Sequence, residues 1–84
     1  MKMERTVLIE YCAAWRFDTQ AASLAAVLMM QFAGKLQDIA IKPSDLTGCF
    51  EVYLQDELVY SKLKIGRLPH PGEVEQIIME RLVK

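Results

Sequence analysis

The stretch from Arg5 to Pro43 constrains the fold more than any other part of the chain. Arg5 to Tyr11 is β-branched and nearly continuous in apolar character, which predicts a strand covered on both faces. Asp18 to Ala33 follows, rich in Ala, Leu and Met, and predicts a helix. Within it Leu24, Leu28 and Phe32 form one stripe, which Ala21, Ala25 and Met29 extend. Asp18 reads as the N-cap, and Gly34 as the residue that stops the helix in a left-handed conformation. Ile39-Ala40-Ile41 is a short second strand, closed by Lys42-Pro43. Strand, helix and strand at this spacing make a βαβ unit, whose crossover is right-handed.

The rest of the chain adds to that unit. Ser44 to Gly48 reads as a loop. Phe50 to Leu54 and Leu58 to Leu63 predict a hairpin turning at Gln55-Asp56. Neither turn residue is Gly, so some strain is expected, although Asp tolerates positive φ better than most residues. Gly66 to Gly72 is a loop punctuated by Gly and Pro. Val74, Ile77, Ile78 and Leu82 then give the stripe of a last helix running to Lys84. Pro71 suits its first turn, Glu73 and Glu75 complement its positive end, and Arg81 and Lys84 its negative end. The order β-α-β-β-β-α predicts an α/β sandwich: one mixed four-stranded sheet with two helices, as a single domain over residues 1–84.

Composition narrows the class of function. The 84 residues suffice for one small core, and 52% hydrophobic with 25% charged residues marks a folded chain. A net charge of −1 lacks the basic footprint of a nucleic-acid binder, so no nucleic-acid partner is expected. The one basic cluster, Lys62, Lys64 and Arg67, is assigned to an exposed strand. The apolar run before Glu10 is too short for a signal-peptide core. Ala21 to Ala33, interrupted by Ser23 and Gln31, is too short to span a membrane. The expectation is a soluble, cytoplasmic protein in reducing surroundings. One His and two Cys fall short of a zinc ligand set, so no metal is expected, and His70, between Pro69 and Pro71, reads as a surface loop residue. No Ser/His/Asp set and no phosphate-cradling Gly loop is visible.

Cys12 stands at the end of the first strand and ahead of the first helix, where thioredoxin-type redox proteins keep their active thiol. The chain resembles the selenoprotein W-related (Rdx) family of small thioredoxin-like proteins over almost its whole length. The anchors are Ile9-Glu10-Tyr11-Cys12, the Ala21-Ala22-x-Leu24-Ala25 helix, Phe32, Gly48-x-Phe50-Glu51-Val52 and Glu57-Leu58-Val59-Tyr60-Ser61, with Gly66, Leu68 and Pro69 before the final helix. The resemblance implies a thioredoxin-like fold and a Cys-x-x-Cys or Cys-x-x-selenocysteine motif after strand one. Cys12 matches the first position of that motif, and Trp15 replaces the second.

What remains is a candidate thiol nucleophile, Cys12, with Trp15, Arg16, Gly48, Cys49 and Phe50 as the candidate pocket around it. The positive end of the following helix, with Arg16, is expected to favour the thiolate, the form that attacks disulfides. Trp15 cannot resolve a mixed disulfide, but its indole offers an apolar wall to a peptide or to glutathione. Three readings stay open. Cys12 exchanges as a monothiol, with glutathione as co-substrate or a protein as partner and no resident cofactor. Cys12 pairs with Cys49, which opens strand three beside the active loop of a thioredoxin-like sheet. Or the fold persists as a non-catalytic interaction module. Met29-Met30 reads either as core packing or as an adaptable surface for a partner, a second copy of the chain included.

Overall fold

The fold was obtained as a computed structural model and is described for residues 5–83; Lys84, expected at the end of the last helix, lies outside them. β1 (Thr6–Cys12) takes a central position in the sheet, as its apolar run demands. It lies between β2 (Asp38–Ser44) and β3 (Phe50–Leu54), with β4 (Glu57–Ser61) outermost, giving the order β2-β1-β3-β4. β1 runs parallel to β2, from Thr6↔Asp38 to Cys12↔Ser44. It runs antiparallel to β3, from Val7↔Leu54 to Tyr11↔Phe50. β3 and β4 are antiparallel, with an irregularity between Val52 and Tyr53. The sheet is thus mixed and four-stranded, as the order of elements requires.

The crossover between β1 and β2 is α1 (Asp18–Gln31), and the chain ends in α3 (Glu73–Leu82), after a single helical turn, α2 (Lys62–Ile65). Ala21, Ala25, Leu28 and Phe32 of the α1 segment pack with Val74 and Ile78 of α3. They cover one face of the sheet, built from Val7, Ile9, Phe50, Val52 and Leu54. Burying each such large apolar side chain is worth about 1.5–3 kcal/mol. Side chains alternate along a strand, so Leu8, Glu10 and Cys12 on β1, and Glu51 and Tyr53 on β3, project to the other face.

Several local expectations are corrected. Asp18 is the first helical residue rather than the cap; Phe17 is the N-cap and no side chain caps the helix. At the other end Phe32 is the C-cap, and Gly34, at φ +82°, turns the chain two residues later. β2 does not close at Lys42-Pro43 but runs on to Ser44. It is an edge strand, where a proline without N–H is tolerated. β4 stops at Ser61, and the expected strand residues Lys62 and Leu63 form the start of α2, a third helix beyond the two predicted. Lys62 and Lys64 therefore stand on α2, and Arg67 pairs with Glu73 instead of decorating a strand. Pro71 precedes α3 rather than lying in its first turn. Met29 and Met30 are 62% and 82% exposed, so the core-packing reading of this pair fails.

Candidate functional site

The C-terminal end of β1 delivers Cys12 into a tight loop. Arg16 N–H donates to the Ala13 carbonyl at 3.1 Å, and Phe17 N–H to the Cys12 carbonyl at 3.3 Å. Arg16 itself adopts φ +61°, which lets the chain double back before α1 begins. A second loop closes on the first from the start of β3. There Cys49 N–H donates to the Leu46 carbonyl at 3.2 Å, and Gly48 sits at φ +74°. Cys12 is 1% exposed between the two loops.

Burial alone pushes the Cys12 thiol up. Backbone amides of Gly48, Trp15, Ala14 and Cys49 hydrogen-bond its sulfur and outweigh that, so the thiol titrates below its ordinary value. Two of the elements expected to produce this effect are placed differently. The amides come from the two loops, not from α1, which starts six residues further on. Arg16 is not among the groups acting on the sulfur. Residues 13–16, Trp15 among them, form a turn between β1 and α1.

Trp15 is half exposed, and its ring lies against Gly48: a Cβ on that glycine would meet the indole at 3.1 Å. Phe17 packs edge-on against the indole at 5.9 Å, and the Lys62 ammonium lies over both rings, 5.1 Å and 5.6 Å from their centroids. Lys62 is a site residue that the sequence concealed, because it was assigned to a strand. Phe50 does not border Cys12. It projects into the helix-covered core, where it packs against Phe17 with ring centroids 6.4 Å apart.

Cys49 is also 1% exposed. Its backbone carbonyl accepts from Cys12 N–H at 2.9 Å, and both cysteines are free thiols. Burial raises the Cys49 pKa, a side-chain hydrogen bond with Ser44 opposes this, and the charges of Cys12, Glu51 and Glu10 raise it further. Two neighbouring thiols are thus pushed in opposite directions. A groove of about 360 Å³ lies between α1 and the loop before α3. It is lined by Leu24, Val27, Phe50, Leu68, Pro69 and His70 among others, and neither cysteine reaches it.

A central βαβ unit, an antiparallel hairpin extension and a thiol at the first βα junction define a thioredoxin-like protein. The chain belongs to the Rdx family, whose profile matches residues 6–80. It is 36% identical over 69 residues to a thioredoxin reductase-like selenoprotein T homolog of Drosophila melanogaster, covering 82% of this chain and 33% of that protein. A second selenoprotein T homolog, from Caenorhabditis elegans, is 50% identical over 36 residues, 43% of this chain and 15% of that protein. The chain therefore spans a third or less of the length of these relatives. Among solved structures, a selenoprotein W-related protein from Vibrio cholerae superposes with a TM-score of 0.88 at 19% identity, covering 95% of this chain and 99% of that one. A Bordetella parapertussis protein does so with a TM-score of 0.88 at 20% identity, covering 94% and 99%. At these identities the two structures speak for the fold alone. Among the described residues no helix is long and apolar enough to cross a membrane.

Proposed function

We propose that the chain is a redox protein that exchanges thiols and mixed disulfides through Cys12, with glutathione or a partner protein as counterpart. The observation that carries this reading is the position of Cys12 between two loops whose backbone, at Gly48 foremost, lowers its pKa and so favours the thiolate. The thiolate attacks a disulfide sulfur, forms a mixed disulfide with one half and expels the other as a thiol. Trp15 stands where the family's second thiol would act, so resolution falls to another sulfur. No resident cofactor is needed, and glutathione serves as co-substrate. A reducing compartment such as the cytoplasm keeps both cysteines in the free form that this chemistry uses.

The burial of Cys12 sets a condition. The turn at residues 13–16 must open for a disulfide to reach the sulfur, and Trp15 is the side chain that moves with it. That same burial, together with a half-exposed indole in place of the second thiol, favours a second reading: an interaction module that keeps the fold without the chemistry.

Alkylation of Cys12 by a small electrophile, followed against pH, separates the two. Exchange predicts a rate midpoint below the ordinary thiol value and one glutathione adduct at Cys12 after treatment with oxidised glutathione. Slow labelling with a midpoint at or above that value leaves the interaction module.

A further inference from the structure

The antiparallel register of β1 and β3 ends at Tyr11↔Phe50, and the next pair in that register is Cys12 and Cys49. The two residues are also joined by the hydrogen bond from Cys12 N–H to the Cys49 carbonyl, at 2.9 Å. Directly opposed residues on antiparallel strands have Cα atoms about 4.5–5.5 Å apart and side chains on the same face. Disulfides span Cα separations of about 4.4–6.8 Å. The pair lies at the end of the ladder, where Cys49 N–H also bonds the Leu46 carbonyl and the Cys12 carbonyl accepts from Phe17 N–H. Trp15 occupies the motif's second position and holds no sulfur, so the facing strand supplies the nearest candidate.

From this opposition we infer that Cys49 is the resolving thiol, and that Cys12 and Cys49 form a reversible cross-strand disulfide with a low-molecular-weight disulfide as oxidant. The inference rests on the reading of Cys12 as the exchanging thiol and names its internal partner. Cys12 thiolate attacks the oxidant R–S–S–R, forming Cys12–S–S–R and releasing one R–SH. Cys49 then attacks the Cys12 sulfur; the Cys12–Cys49 bond forms and the second R–SH leaves. The two cysteines lose two electrons and two protons, and the oxidant gains both as two thiols. Two equivalents of a reduced thiol reverse the sequence.

The surroundings impose this order of events. Cys49 is held as the thiol by burial and by the nearby charges of Cys12, Glu51 and Glu10, so it does not compete for the first attack. Once Cys12 enters a mixed disulfide its charge is gone. One of the influences that keep Cys49 protonated disappears with it, and Cys49 becomes easier to ionise at the moment its attack is needed.

Intact-mass analysis of the full chain during titration with oxidised glutathione tests the inference. The expected result is a transient single adduct that gives way to a product two hydrogens lighter than the reduced chain, with the Cys12 and Cys49 peptides linked. In Cys49→Ser, and in Cys49→Ala should the serine disturb folding, the Cys12 adduct persists at least about tenfold longer, because intramolecular resolution is lost. A stable adduct on the unaltered chain, with no bridged product, overturns Cys49 as resolver while leaving exchange at Cys12 intact. Absence of both adduct and bridge, in the unaltered chain and in the Cys49 variants, overturns the exchange reading itself.

Discussion

At the scale of single residues, the contact between Trp15 and Gly48 decides how the site is closed. Gly48 combines a backbone at φ +74° with an indole 3.1 Å from where a Cβ would stand. A left-handed backbone costs an L-residue about 1–2 kcal/mol, and the collision adds to that. Gly48→Ala is therefore expected to lower stability by about 2 kcal/mol in urea denaturation, and to speed alkylation of Cys12 by loosening the loop. Gly72, at φ +85° with open space around it, is the control: its Ala variant bears the backbone cost without the collision. Combining Gly48→Ala with Trp15→Ala isolates the steric part, because removing the ring should return some of the lost stability. Additivity of the two changes would mean that the indole does not press on this glycine. None of this is legible in the sequence. Cys12 and Trp15 can be singled out as a motif and its departure, but Trp15 and Gly48 stand 33 residues apart in the chain (48 − 15), and only the folded backbone sets them together.

At the scale of elements, the strong hydrophobic periods were readable and the short polar devices were not. β1, α1 and β3 follow from runs of apolar residues, and α3 from the Val74, Ile77, Ile78 and Leu82 stripe. The hairpin turn is as strained as its lack of glycine implies, with Gln55 at φ +51° and Asp56 at φ +69°. The missed element is α2, whose four residues carry no apolar period and whose start depends on a side chain in another strand. Ser61 is its N-cap and accepts from Lys64 N–H at 3.2 Å. Glu51, buried on β3, fixes that cap: it accepts from Ser61 Oγ at 2.5 Å, from Leu63 N–H at 3.3 Å and from Phe50 N–H at 3.2 Å. Glu51 thus acts as a brace between the sheet and α2, which carries the Lys62 ammonium over Trp15. Glu51→Ala leaves buried donors without an acceptor and is expected to cost about 1–3 kcal/mol. The same substitution should loosen α2 and quench or shift Trp15 fluorescence differently from the unaltered chain; an unchanged emission spectrum would mean that the Lys62–Trp15 contact does not depend on the brace.

At the scale of the whole molecule, α3 is fastened to the sheet edge by one polar cluster rather than by apolar packing alone. Arg67 donates to both carboxylate oxygens of Glu73, at 2.8 Å and 3.0 Å, and to the Leu68 carbonyl at 3.1 Å. Tyr60 of β4 donates its hydroxyl to the Arg67 carbonyl at 2.6 Å, and His70 N–H donates to Glu73 at 2.9 Å. Strand, loop and α3 N-terminus therefore share one node. The Arg67 guanidinium, followed by the His70 amide, holds the Glu73 carboxyl at about 2, well below its ordinary 4.5. Because the folded value lies below the unfolded one, the contribution of Glu73 is complete above about pH 4.5 and fades as pH falls toward 2. Thermal denaturation of the unaltered chain and of Glu73→Gln should then differ most near neutral pH, and the two curves should converge across that acid window. Both side chains remain partly open to solvent, so added salt should shrink the difference as well. A gap that stays constant down to pH 2 would assign the node's strength to its neutral hydrogen bonds. In that case α3 would be held against Tyr60 and the loop by geometry that acid does not touch, and the thiol site at the same end of the sheet would keep its scaffold throughout an acid titration.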